Sequence, residues 1–209
     1  MEFLFYDIWN LWFKVLFIFA FMKTSVKVAL GTALIWIIIT LIAFLAGYSE
    51  SFFVFGILLN IFLLLMAIAA GLFFTRKETG FAPSIFLDDF KTALQSGLVY
   101  ALIIAAFVYL YHATIDTSIR QNLVELRMEA IHKMVPDEAT FKELQENDPN
   151  FLQWKDKGYD DYMENQEMSI QGIISAFSVF IFHLMGLFIF SMFFAFFGTI
   201  IIRKVVLRQ

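Results

Sequence analysis

The chain has 209 residues, is 60% hydrophobic and holds 28 phenylalanines, and its mean hydropathy is +0.75. A soluble globular domain is about half apolar, so this excess points to a chain whose solvent is a lipid bilayer. The formal net charge of −4 is unevenly spread, and the absence of cysteine removes disulfides, thiolate metal sites and thiol nucleophiles.

The first segment, MEFLFYDIWNLWFKVLFIFAFM, lacks the basic start of a secretion signal, and Asp7 and Lys14 interrupt its apolar run. Asp7, Asn10 and Lys14 share one helical face, while Trp9 and Trp12 suit a headgroup boundary. Residues 1–22 are therefore expected to form an amphipathic interfacial helix. A fifth span, with Lys14 snorkelling, is the alternative.

Four apolar runs follow: Val28 to Gly47, Phe52 to Phe74, Ala93 to Tyr111 and Ile170 to Ile202. Each reaches the roughly 20 residues that cross about 30 Å of hydrocarbon as a helix. They are too long and too uniformly apolar for barrel strands. The expected fold is all-α, an integral membrane bundle with three spans over residues 24–112 and the fourth over 169–203. A basic tail, 204–209, closes the chain. Lys14, Lys23, Lys27, Arg76, Lys77, Lys91, Arg203, Lys204 and Arg208 all fall on one side if four spans alternate. The positive-inside rule makes that side, and both termini, cytoplasmic.

Residues 113–168 then lie outside as an acidic cap. Between Asp116 and Glu167 there are 13 acidic and 6 basic residues, a net of −7. Ile119, Leu123, Leu126, Ala130, Ile131 and Met134 repeat at helical spacing, which predicts that the third span continues outward as an amphipathic helix. Pro136 with Asp137 and Glu138 suits a fresh helix start, and NDPN and Gly158 are breaks. Phe141, Leu144, Phe151, Leu152, Trp154, Tyr159 and Tyr162 supply apolar side chains for a small helical core, which acidic disordered segments usually lack.

Candidate sites are few. Ala93, Gly97, Ala101 and Ala105 place small side chains every four residues along the third span, and Ala67 and Gly71 do so in the second. Such stripes let helix backbones approach closely, within the bundle or against a partner. His183 sits inside an oily run at a depth that falls within roughly 6 Å of Asn60. With Tyr109 and His112 these residues form a candidate polar intramembrane cluster, serving either a ligand or proton or simple hydrogen bonding between helices. Asp88 and Asp89 read either as anions at the start of the third helix or as a pair holding Mg²⁺ on a phosphate. No zinc, Walker, nucleophile-elbow or dinucleotide motif is present, so no metal or cofactor is expected, and nothing suggests nucleic acid.

The stretch FFTRKETGFAPSIFLDDFKTALQSGLVYALIIAAFVYLYHATIDTSIRQNL resembles a family of bacterial four-span membrane proteins catalogued only as a domain of unknown function. The shared traits are a basic turn with glycine (RKETG), a short helix leading into the third span (SIFLDDFKTAL), a charged helical loop beginning at HATIDTSI, and a long fourth span with a basic end. The likeness runs from about Thr24 onward, with the aromatic N-terminal helix as an addition. It implies a bacterial inner-membrane location and no established activity or site residues. The expected function is a non-enzymatic subunit or assembly partner, associating with the bilayer and with other membrane subunits or itself. A carrier or channel using His183, Asn60 and His112 is the alternative. A membrane enzyme acting on a lipid-linked phosphate through Asp88 and Asp89 is the third reading.

Overall fold

A computed structural model describes residues 22–207 of the protein. The expected interfacial helix over residues 1–22, and the fifth-span alternative, lie outside the described residues except for Met22. The α-helices are α1 (Thr24–Leu45), α2 (Ser49–Glu78), α3 (Phe86–Leu110), α4 (Ser118–Met134), α5 (Glu138–Asn147), α6 (Tyr159–Ile173) and α7 (Ala176–Ile202). Five-residue π turns follow α3 (Tyr111–Ile115) and α7 (Arg203–Leu207), and a 3-10 turn covers Pro149–Trp154. No strand occurs among the described residues. Four helical stretches are long and apolar enough to cross a membrane: Thr24–Leu45, Ser51–Glu78, Phe86–Ile115 and Ala176–Val205. The protein is thus an all-α, multi-pass membrane protein.

The chain divides into two compact units, one ending at Ala105 and resuming at His183, the other running from Ala106 to Phe182. In the first unit, α1 and α2 form a hairpin. Gly47, at φ +75°, occupies the left-handed position that reverses the chain. α1 buries a stripe of mostly small residues, and α2 buries Gly56, Ala67 and Gly71 together with Leu64, Ile68 and Leu72. On α1 the stripe is Ser25, Ala29 and Ala33, continued by Trp36 and Thr40. Close approach follows from it. A Cβ added at Gly71 would lie 2.5 Å from Ser96 Oγ, and one at Gly97 would lie 2.8 Å from Ser191 Oγ and 2.9 Å from Ile68.

Buried polar groups fasten these helices because hydrocarbon offers them no other partner. Ser96 Oγ donates to Ala67 O at 2.7 Å and lies 3.0 Å from Ser25 O, so one hydroxyl sits against α1, α2 and α3. Tyr100 OH donates to Asn60 Oδ1 at 2.7 Å, and Trp36 Nε1 donates to Gly56 O at 3.0 Å.

The second unit has its own core: Val135, Phe141, Trp154 and Tyr162, with Ile131, Leu144, Phe151, Tyr159 and Met163 packed around it. Phe141 and Tyr162 have ring centroids 5.2 Å apart, and Trp154 meets Tyr162 edge-on at 5.1 Å. Asp137 is the N-cap of α5, accepting from Thr140 N at 2.8 Å. Asp161 accepts from Gly158 N at 3.1 Å and fixes the start of α6.

Three details differ from the sequence-based expectation. The third span does not run on into α4, because Asp116 is extended (φ −129°, ψ 97°) and ends the π turn before α4 begins at Ser118. Its carboxylate accepts from Ser118 N and from Tyr111 OH, each at 3.1 Å. The run from Ile170 to Ile202 is likewise two helices, divided at Ile174 and Ser175, with Ser175 Oγ accepting from Ser178 N. Leu152 stays on the surface, and α4 buries none of its residues. Its Val124 faces a groove with Glu167, Gln171 and Ser175 of α6 and the turn that follows it, and Ile131 packs on the core. That uses one edge of the helix and leaves Leu123, Leu126, Ala130 and Met134 outside.

Candidate functional site

The most heavily charged buried place among the described residues of the first unit lies where α2 ends and α3 and the last π turn begin. After the basic Arg76 and Lys77, α2 closes with two consecutive left-handed residues, Gly80 (φ 61°) and Phe81 (φ 56°). A bulky residue at positive φ is strained and needs surrounding structure to hold it. Here Phe81 N donates to Arg76 O at 2.9 Å, and Arg76 Nη2 donates to the Ala82 carbonyl. The turn therefore folds over the arginine of its own helix end and aims the chain at α3.

Asp89, in the first turn of α3, is 2% exposed and is the anion on which this region converges. Arg203 Nη1 donates to its Oδ2 at 2.7 Å, and Ser84 Oγ donates to the same oxygen at 2.8 Å. Arg76 Nε stands 3.4 Å from Oδ1, an ionic contact outside hydrogen-bonding geometry. Arg203 Nη1 also donates to Ser84 O at 3.0 Å. The positive end of the α3 dipole favours the carboxylate further. Three helix ends are thus clamped on one buried side chain, and two guanidinium groups facing one carboxylate leave the cluster with a formal charge of +1. A buried carboxylate survives only when so compensated.

Chemically this arrangement is a clamp and an anion-attracting edge. Both oxygens of Asp89 face guanidinium groups, which would repel a divalent ion from the same place. Asp88, its neighbour, is exposed. The two carboxylates of the paired-carboxylate reading thus stand in different surroundings, Asp88 exposed and Asp89 buried against two guanidinium groups. Among the described residues no group of three potential ligands could hold a metal.

The other sequence-derived positions fall as follows. Ala93, Gly97, Ala101, Ala105, Ala67 and Gly71 are all buried in the first unit, with Gly71 against Ser96 and Ser25 and Gly97 against Ser191 and Ile68. Asn60 is bonded to Tyr100, a residue that no sequence pattern marks. His183 is half-buried on α7. Tyr109 belongs to the second unit, where it meets Phe180 edge-on at 6.2 Å. His112 stands against the Tyr111 ring at 5.3 Å. Sequence reasoning misses Ser84, Arg76 and Arg203 as partners of Asp89. A signal for them exists, since both arginines close spans on the side where Asp89 opens one.

The model of the family described as "Protein of unknown function (DUF4199)" matches residues 27–199. The chain belongs to this family. In this DUF4199 chain the matched segment takes in nearly all of α1, all of α2 to α6, most of α7, and the Arg76, Ser84 and Asp89 positions of the clamp. Comparison with the curated proteins and with the solved structures returned no match.

Proposed function

We propose that the protein is a non-enzymatic subunit or assembly partner of a complex in the bacterial inner membrane, with both termini cytoplasmic and residues 113–168 outside. The orientation rests on the basic residues gathered at one set of span ends, and the bacterial setting on the family resemblance. The role rests chiefly on α4. This helix carries Leu123, Leu126, Ala130 and Met134 on one face, exposed in a segment too charged for the bilayer.

The small-residue stripes, by contrast, are already occupied inside the bundle. A partner is therefore expected to meet the protein through α4. Arg120 and Arg127 flank one side of the apolar face, Glu129 on the other side is paired with Lys133 at 2.8 Å, and Glu125 lies away from it. The matching surface is an apolar helix face with an acidic edge on another membrane-anchored chain.

Affinity purification of the tagged protein in gentle detergent, followed by mass spectrometry, tests this reading. The expected result is a stoichiometric membrane protein that disappears from the Leu126→Glu variant while the variant itself stays folded. An unchanged set of co-purifying proteins in that variant overturns the reading. So does substrate-dependent flux in liposomes that His183→Leu abolishes, because that outcome makes the protein a carrier.

A further inference from the structure

The clamp on Asp89 is more than sufficient for its carboxylate and leaves donors of Arg203 over. Among the described residues, every bond of Arg203 runs through Nη1. Its Nε and Nη2 donors meet no acceptor there, although the side chain is only 19% exposed. A guanidinium edge with two parallel N–H donors matches two oxygens of a phosphate or carboxylate. The charge agrees, since the cluster holds one cation in excess and a second anion would neutralise it.

Depth and surroundings select the anion. Arg203 directly follows the apolar run of α7, at the level where a span leaves hydrocarbon for the phosphate layer. Phe196 lies seven residues earlier, on the same face of the helix. Its ring meets Phe86 of α3 edge-on, with centroids 5.9 Å apart. Both rings remain open to the surroundings, at 45% and 37% exposure. The seam between α3 and α7 thus offers an apolar aromatic wall along the span and, at its end, a guanidinium with two donors that meet no acceptor among the described residues. An anionic phospholipid has that same order of parts, acyl chain and then phosphate.

We propose that this seam binds an anionic phospholipid, its phosphate on the Nε and Nη2 edge of Arg203 and an acyl chain against Phe86 and Phe196. Zwitterionic lipids carry the same phosphate with their own cation beside it and are held less well. Arg203 then does two tasks with two edges. Nη1 closes the Asp89 clamp, and the other edge takes the lipid, so lipid occupancy tightens the ends of α2, α3 and α7 together.

The test uses the full-length protein, delipidated in detergent and titrated separately with phosphatidylglycerol, phosphatidylcholine and inorganic phosphate. Native mass spectrometry reads bound lipid and a thermal melt reads stability. The expected result is one phosphatidylglycerol retained per chain with a raised Tm, and about ten-fold weaker retention of phosphatidylcholine. Arg203→Lys keeps a cation for Asp89 but removes the fork, and should reduce phosphatidylglycerol retention by about ten-fold. Equal retention of both lipids, or wild-type retention by Arg203→Lys, overturns the proposal. Stabilisation by inorganic phosphate alone, without retained lipid, also overturns it and assigns the edge to a soluble anion. If Arg203→Lys does not purify folded, Phe196→Ser leaves the ion pairs intact. It should lower retention several-fold, and an unchanged value rejects the site.

Discussion

The two units of this protein solve the same problem with opposite materials. The membrane unit is held by what is small or polar inside it: Ala29, Ala33, Ala67, Gly71 and Gly97 at the crossings, Ser96 and Tyr100 bonding to neighbouring helices, and Asp89 between two arginines. Many of its large apolar side chains, such as Leu58, Phe62, Phe193 and Ile201, face outward, while Leu64, Ile68, Leu72 and Ile104 fill the space around those contacts. The acidic unit reverses this. Its large aromatics Phe141, Trp154 and Tyr162 are inside, and most of its charges are outside. The solvent decides. In water, burying a ring is itself the driving force. In lipid that force is absent between helices, and close backbone packing with satisfied polar groups replaces it. A sequence can therefore look uniformly greasy and still encode a specific bundle, because the information sits in its few small and polar positions.

The contrast can be broken with one change in each unit. Phe141→Ala removes the ring at the centre of the aromatic core and should cost the acidic unit about 3–5 kcal/mol, enough to open it. Limited proteolysis between residues 134 and 160 should rise sharply while the melt of the membrane unit stays in place. Asp89→Asn leaves two guanidinium groups without their anion and should cost about 3–5 kcal/mol on the membrane side. Here the detergent melt should fall while proteolysis of the acidic unit stays slow. If either variant collapses both units together, the separation into two cooperative bodies is wrong. Gly97→Val is a milder probe. Its Cβ would fall inside 3 Å of Ser191 and Ile68, and an overpacked crossing costs about 1–3 kcal/mol. A matching Gly→Val change at Gly172, where nothing lies within 4 Å, should cost less than that crossing does.

Much of this architecture is legible in the order of the residues. Span number follows from length and apolarity, and the helical core of the acidic unit follows from aromatics that a solvated acidic segment would not keep. Pro136 with Asp137, and Gly158, mark helix starts that the structure places at Glu138 and Tyr159. What resists reading is azimuth. Counting residues along a span gives depth, so Asn60 and His183 can be put at one level, but depth says nothing of which way a side chain points. The structure turns Asn60 to Tyr100. The same limit hides the clamp. Arg76, Asp89 and Arg203 can be assigned to one membrane face, yet only the crossing of α2, α3 and α7 decides that the carboxylate lies between the arginines. Charge counting uses the arginines for orientation and Asp89 as a helix-start anion, and neither account brings them together. The stripe on α4 fails for a different reason. Periodicity reports that a face is apolar, but not whether the chain itself supplies something to cover it.

The smallest effects separate the units by pH. Asp137, fully exposed, has its carboxyl held below the ordinary 3.8 by the backbone and side-chain hydrogen bonds of Thr140, with Ala139 adding to them. A depressed folded value means that the ionised cap stabilises α5 at all pH above the unfolded value. That contribution is lost as pH falls from about 3.8 through the lowered one. Tyr162 moves the other way, its phenol raised above 10.0 by burial first and by Tyr159 second. The folded state therefore keeps a proton that the unfolded chain gives up, and stability declines as pH rises past about 10. The acidic unit should accordingly loosen at both extremes, read as tyrosine and tryptophan fluorescence or as proteolysis of residues 134–160. Asp137→Ala should lower its stability slightly at pH 7 and flatten the acid limb, leaving the alkaline limb untouched. Tyr162→Phe should flatten the alkaline limb alone. If Asp137→Ala leaves the acid limb unchanged, acid loosening of this unit comes from carboxylates other than the helix cap, and the N-cap bond at Thr140 carries little of its order.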